Sequence, residues 1–246
     1  MTCIVIGGHS PIGIAITKKL SHNSKIYHFS RDIDKDLIAA FHSNDNIELM
    51  KLPINDKINV IIPDLIDVVL GLNPSQIIFA TRFRGNEKDY VAAYELEVVL
   101  PAELLNSYRI QKNESSLESV VFLGSPAGTK IVPDQNIYYH TNKASLEQVV
   151  RFFAVKLHGV RVNAVLPGGF VAKERSQEFY NTHTEFRNAI ESFIPTRNFI
   201  QLDDIANVVS FLISDSSKQV NGQMISVDGG YRNWEESAHL ISLFRK

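Results

Sequence analysis

A single cysteine, Cys3, rules out an intrachain disulfide and any zinc cluster built on cysteines. It sits in the first apolar run, where a buried, inert thiol is the expected state. Neither sign of charge prevails. The 25 Lys and Arg stand against 27 Asp and Glu, a net charge of −2 at neutral pH. That balance argues against nucleic acid and against an anionic membrane surface as partners, and favours small-molecule work. No apolar stretch approaches the ~20 residues that a membrane helix needs. The N-terminus enters an apolar run without a basic leader, so a mature, cytoplasmic protein is expected. The histidines show no metal-ligand spacing, and no metal is expected. No repeat, linker or low-complexity segment interrupts residues 1–246, which are expected to form a single domain.

What is present is an alternation of apolar runs with amphipathic stretches. Strands are predicted at Cys3–Ile6, Lys25–Phe29, Asn46–Leu52, Gln76–Ala80, Ser119–Leu123, Val160–Val165 and Gln223–Val227. Between them the pattern predicts helices at Ile12–Leu20, Ile58–Leu72, Tyr90–Tyr108, Tyr139–Leu157 and Asp203–Ser214. Pro63 interrupts or starts the second of these, and Pro101 should bend the third. Residues 172–199 are polar and mixed, and helical lid elements are expected there. Such βαβ spacing predicts an α/β fold, a doubly wound parallel sheet of about seven strands with helices on both faces and ligands at the carboxyl ends of the strands.

Two places carry the chemistry. Gly7-Gly8-His9-Ser10-Pro11-Ile12-Gly13 lies between a predicted strand and a predicted helix, with Ser10 as cap and Pro11 at the first helical position. Glycines there let the backbone approach a pyrophosphate resting on the helix N-terminus. Gly7, His9, Ser10, Ile12 and Gly13 are the candidate cofactor contacts. Ser30 and Arg31 end the second strand, where an arginine accommodates the 2′-phosphate of NADP, so NADP(H) is the expected cofactor. Asp32 is the competing acid, and a merely solvated Arg31 is the alternative. The second place is Tyr139 and Lys143, four residues apart on one helical face. An ammonium beside a phenol favours the phenolate, which suits proton transfer to a carbonyl or alcohol oxygen.

The ordered series of segments resembles the short-chain dehydrogenase/reductases from end to end. Its pieces are the glycine turn, Gly124-Ser125-Pro126-Ala127-Gly128, Tyr139-His140-Thr141-Asn142-Lys143, Val160-Arg161-Val162-Asn163-Ala164-Val165-Leu166-Pro167-Gly168, Asp204-Ile205-Ala206, and Asn221-Gly222-Gln223 leading to Val227-Asp228-Gly229-Gly230. The resemblance implies a single Rossmann-type domain and an NADP(H)-dependent reductase or dehydrogenase acting on a small carbonyl or alcohol. It implies Tyr139 as the acid/base, Lys143 as the cation that tunes it and holds the nicotinamide ribose, and Ser125 as the group orienting the substrate oxygen. Ala80, Pro167, Gly168 and Phe170 would contact the cofactor. It also implies a homodimer or homotetramer.

Four positions depart from the family pattern. Pro11 replaces a glycine of the turn, Pro53 stands near an expected aspartate, and Phe79-Ala80-Thr81-Arg82 replaces an Asn-Asn-Ala-Gly segment. Glu97 falls where a helix asparagine is usual, and either joins a proton relay or pairs with a lysine. These departures support an alternative, a catalytically weak nucleotide-binding sensor or scaffold. Tyr138 is expected to pack or to line the pocket, His140 to be structural or solvated, and the tail from Tyr231 to pack on its own subunit or a neighbour.

Overall fold

The computed structural model describes residues 1–53, 62–83, 85, 89–110, 116–169, 171, 174–235, 237 and 241, with the side chains of residues 174–177 excepted. The strands are β1 (Thr2–Ile6), β2 (Lys25–Ser30), β3 (Ile47–Lys51), β4 (Gln76–Phe79), β5 (Ser119–Leu123), β6 (Arg161–Pro167) and β7 (Met224–Val227). They form one seven-stranded sheet in the order β3-β2-β1-β4-β5-β6-β7, every pair parallel. At its centre Ile4 pairs with Tyr27 on one side and Ile77 on the other.

Strand side chains alternate between faces, and the two cores follow that alternation. Ile4, Ile6, Ile77, Phe79, Val120 and Phe122 join one core, which α3 (Ile62–Leu72), α5 (Leu100–Ile110) and α6 (Ile137–Lys156) complete. Phe79 stacks on Phe122 at 4.7 Å in that layer. Cys3, Val5, Ile78 and Val121 face the opposite core, closed by α1 (Pro11–Leu20) and α9 (Leu202–Ile213). Strands buried on both faces must be apolar at every position, which is why they read as continuous runs. Cys3 is fully buried, and burial pushes its thiol well above the ordinary range.

The structure differs from expectation in several elements. α2 (Lys35–Phe41) was not anticipated, although its signals are present: Asp34 caps it by accepting from Leu37 N at 2.9 Å, and Leu37 and Phe41 bury one face. The expected helix over Tyr90–Tyr108 is three pieces: α4 (Tyr90–Tyr94), a π-helical turn (Glu95–Val99) and α5. Pro101 explains the break, because it has no N–H for the carbonyl four residues earlier. Leu100 N instead reaches Glu95 O, five residues back, and the widened turn directs Glu97 inward.

The expected lid contains α7 (Glu174–Thr182) and α8 (Thr184–Phe193), and Ile190, Ile194 and Phe199 form a small core beneath it. Trp234 in the tail donates its indole N–H to Phe193 O, fastening the tail to the end of α8. Among the described residues no helix is long and apolar enough to cross a membrane.

Candidate active site

The sheet order turns back between β1 and β4, so the loops that follow these strands diverge and open a crevice at their carboxyl ends. A cavity of about 710 Å³ occupies it. Of the predicted residues, Ser10, Ile12, Ala80, Ser125, Tyr139, Lys143, Pro167 and Gly168 line this one cavity. Gly7, His9, Gly13, Ser30 and Arg31 stand off its wall. Phe170 lies outside the described residues.

Internal bonds shape the glycine turn. The N–H groups of Gly7 and Gly8 both donate to Phe29 O, at 2.9 and 3.3 Å, which ties the turn to β2. Ser10 Oγ accepts from Gly13 N at 3.1 Å and caps α1, with Pro11 in the first turn. These amides are therefore committed to holding the turn. What remains for a pyrophosphate is the positive end of α1 at Ser10 and Ile12. Close approach is enforced by sterics. A Cβ on Gly13 would sit 2.7 Å from the Gly8 backbone, and one on Gly8 would strike the buried His28 ring at 1.9 Å.

Arg31, expected beside the adenosine ribose, and His9 of the glycine turn each meet an acid. Arg31 Nε donates to Asp32 at 2.7 Å, and His9 Nε2 lies 3.0 Å from Asp34. The backbone N–H of Leu37, with His9 close by, holds the Asp34 carboxyl below its ordinary value. Ser30 Oγ is spent on Asp32 O at 2.9 Å.

At the reacting end, α6 presents Tyr139 and Lys143 one turn apart. Asn136 caps that helix by accepting from Tyr139 N at 2.9 Å, which fixes the backbone under the phenol. Lys143 Nζ is 5.6 Å from the Tyr139 ring centroid, and the Arg82 guanidinium is 5.1 Å from it. Glu97 lies 2.7 Å from Lys143 Nζ and also accepts from Phe83 N at 2.7 Å. The carboxylate thus links the lysine to the segment that follows β4. Ser125 reaches the same cavity from the end of β5, where its Oγ accepts from Ala127 N and caps a 3₁₀ turn (Pro126–Gly128).

The neighbours of the tyrosine have separate tasks. His140 is buried, accepts from Val132 N at 2.9 Å and donates to Asn136 O at 2.8 Å, so it pins the cavity-lining loop to α6. Tyr138 stacks on Tyr90 at 4.4 Å and lines a second cavity of about 400 Å³ that also touches Tyr139, Glu97 and Arg82.

Residues that the sequence did not assign to the site include Arg82, Asp228, Arg232 and Trp234, all on the wall of the larger cavity. Asp228 accepts from Gly230 N and Arg232 N and orders the loop after β7. A Cβ on Gly168 would lie 2.7 Å from Asp228 Cβ, so the ends of β6 and β7 close on each other there. Both partners lie in segments singled out from the sequence, Pro167-Gly168 and Asp228-Gly229-Gly230, although their contact was not.

Comparisons with known proteins agree with this geometry. A family model described as enoyl-(acyl carrier protein) reductase matches residues 98–232, more than half of the chain. An enoyl-[acyl-carrier-protein] reductase [NADH] from Buchnera aphidicola is 36% identical over 124 residues, 50% of this chain and 45% of that protein. The chain therefore spans less than half of that relative's length. A tropinone reductase homolog from Arabidopsis thaliana is 26% identical over 248 residues, 94% of this chain and 92% of that one. Among solved structures, ElxO with NADP bound superposes with a TM-score of 0.76 at 19% identity, covering 95% of this chain and 99% of that one.

Proposed function

This chain belongs to the short-chain dehydrogenase/reductase family, and we propose that it is an NADP(H)-dependent oxidoreductase interconverting a ketone or aldehyde with an alcohol on a small molecule. One observation carries this. Tyr139 and Lys143, a helical turn apart, share a cavity wall with Ser125, and that cavity runs to the N-terminus of α1.

A nicotinamide dinucleotide fits the residues present. The positive end of α1 suits its pyrophosphate, and the close packing at Gly8 and Gly13 keeps the turn low enough for approach. Ser10 and Ile12 would hold the phosphates, while Lys143, Ala80, Pro167 and Gly168 would hold the nicotinamide end. When bound, the cofactor supplies or accepts the hydride at the substrate carbon. Tyr139 gives its hydroxyl proton to the substrate oxygen in reduction and takes it back in oxidation. Ser125 donates to the same oxygen and fixes the substrate beside the phenol.

The NADP preference rests on Arg31. Its pair with Asp32 is about half exposed on both sides, so a phosphate can compete for the guanidinium at little cost. A second reading, a sensor or scaffold with little turnover, is favoured by Glu97, which answers the charge of the lysine expected to tune the phenol. Exposed Phe152 and Val155 on α6 support a homodimer or homotetramer through that helix.

The test is titration with NADPH and NADH, followed by a carbonyl screen monitored through cofactor absorbance. Replacing Tyr139 by Phe should lower turnover by about 10²–10⁴-fold and leave cofactor binding intact. Cofactor binding without turnover of any carbonyl would favour the second reading.

A further inference from the structure

Two arginines on the wall of the cavity that contains Tyr139 have no carboxylate partner among the described residues. Among the described residues, Arg31, Arg151 and Arg187 each pair with an acid. Arg82, Arg109, Arg161, Arg197 and Arg232 do not, and of these Arg82 and Arg232 stand on the cavity wall. Arg82 has one weak polar contact, to Gln135 Oε1 at 3.4 Å, and otherwise lies over the Tyr139 ring. Among the described residues, the guanidinium of Arg232 meets the hydroxyls of Ser226 and Thr129.

Lys130 also stands on that wall and is engaged elsewhere. Lys143 is balanced by Glu97, and Asp228 accepts from two backbone amides. Asp134 stands exposed at the rim. Ile131, Val132 and Trp234 add apolar surface to the same wall. Arg82 is exposed, and a guanidinium beside such a surface, with no carboxylate partner among the described residues, can grip a planar anion with two parallel N–H donors.

We propose that the substrate carries a carboxylate close to its reacting carbonyl, and that Arg82 receives it. Its place over the Tyr139 ring sets the anion near the proton donor, which selects 2-oxo and 3-oxo acids with apolar bodies. Arg232 adds a second positive charge on the same wall. In reduction, the carbonyl carbon takes the hydride from the reduced cofactor and the oxygen takes the Tyr139 proton, giving the hydroxy acid. This inference rests on the oxidoreductase reading above.

The experiment compares 2-oxo and 3-oxo acids of four to eight carbons with their methyl esters, on the full chain with NADPH and with NADH. A charge-assisted pair at Arg82 should favour acid over ester by about tenfold or more in kcat/KM. Arg82→Met should bring that ratio close to one, and Arg82→Lys should restore part of it. Equal rates for acid and ester in the unaltered chain, or a ratio untouched by Arg82→Met, would overturn the proposal. A preference for phosphate esters over carboxylates would also overturn it.

A second measurement separates this proposal from the activity it rests on. Calorimetry of butanoate against butanamide is run on the chain loaded with NADPH. Arg82-dependent binding of butanoate without turnover of any carbonyl would uphold the anion site and overturn the redox reading. Turnover of neutral carbonyls with no acid preference would do the reverse.

Discussion

Lys143 Nζ lies 2.7 Å from the Glu97 carboxylate, and the two side chains are only 3% and 2% exposed. Charges buried this deeply are costly unless paired, so each residue makes the other tolerable. Replacing Glu97 by Ala strands the ammonium and should lower unfolding stability by about 3–5 kcal/mol, measured by urea denaturation. Combining it with Lys143→Met removes the stranded charge. The double variant should be more stable than the Glu97→Ala protein, and a purely additive loss would mean the pair is not coupled.

The proposed NADP preference would turn on a competition for Arg31 at the end of β2. Arg31→Ala should weaken NADPH by about tenfold, the worth of a hydrogen bond to a charged group, and change NADH little. Asp32→Asn releases the guanidinium from its present partner and should tighten NADPH. Fluorescence titration of both nucleotides against both variants decides this. Equal losses for NADPH and NADH in Arg31→Ala would remove the preference.

The turn also imposes a pH dependence. His28 lies under Gly8, with Nδ1 2.7 Å from Thr17 Oγ1 and its ring against Phe41. Burial, and then the nearby His9, lower its pKa from 6.5 to about 4. The unfolded chain therefore takes up this proton first as the medium is acidified. The stabilisation is complete above the unfolded value and is lost as pH falls toward the folded one. Between about pH 7 and pH 4 the chain should lose on the order of 3 kcal/mol from this group, and His28→Gln should flatten that part of the profile. An unchanged slope in the variant would place the acid sensitivity elsewhere.

Much of the architecture was legible because it depends on local pattern. Strands buried on both faces must be apolar throughout, and turns at their ends need glycine, proline or a cap. All seven strands could therefore be located, and Tyr139 and Lys143 could be set on one face from spacing alone. α2 was readable too, through Asp34 followed by Leu37 and Phe41, but its short length gave little periodicity. The π turn at Glu95–Val99 was not readable. Pro101 predicts a disruption and leaves open whether the helix kinks, ends or widens.

By itself, the sequence determined the parallel sheet, the glycine turn and the tyrosine–lysine helix, because each follows from residues within a few positions of one another. Only the tertiary structure decided which charges meet. Glu97 reaches Lys143 across 46 positions, His28 is packed beneath a turn 20 positions earlier, and Arg82, in the segment after β4, lies over a phenol carried by α6. Coulombic partnership depends on distance in space and on excluded water, and neither is encoded in the spacing of residues along the chain.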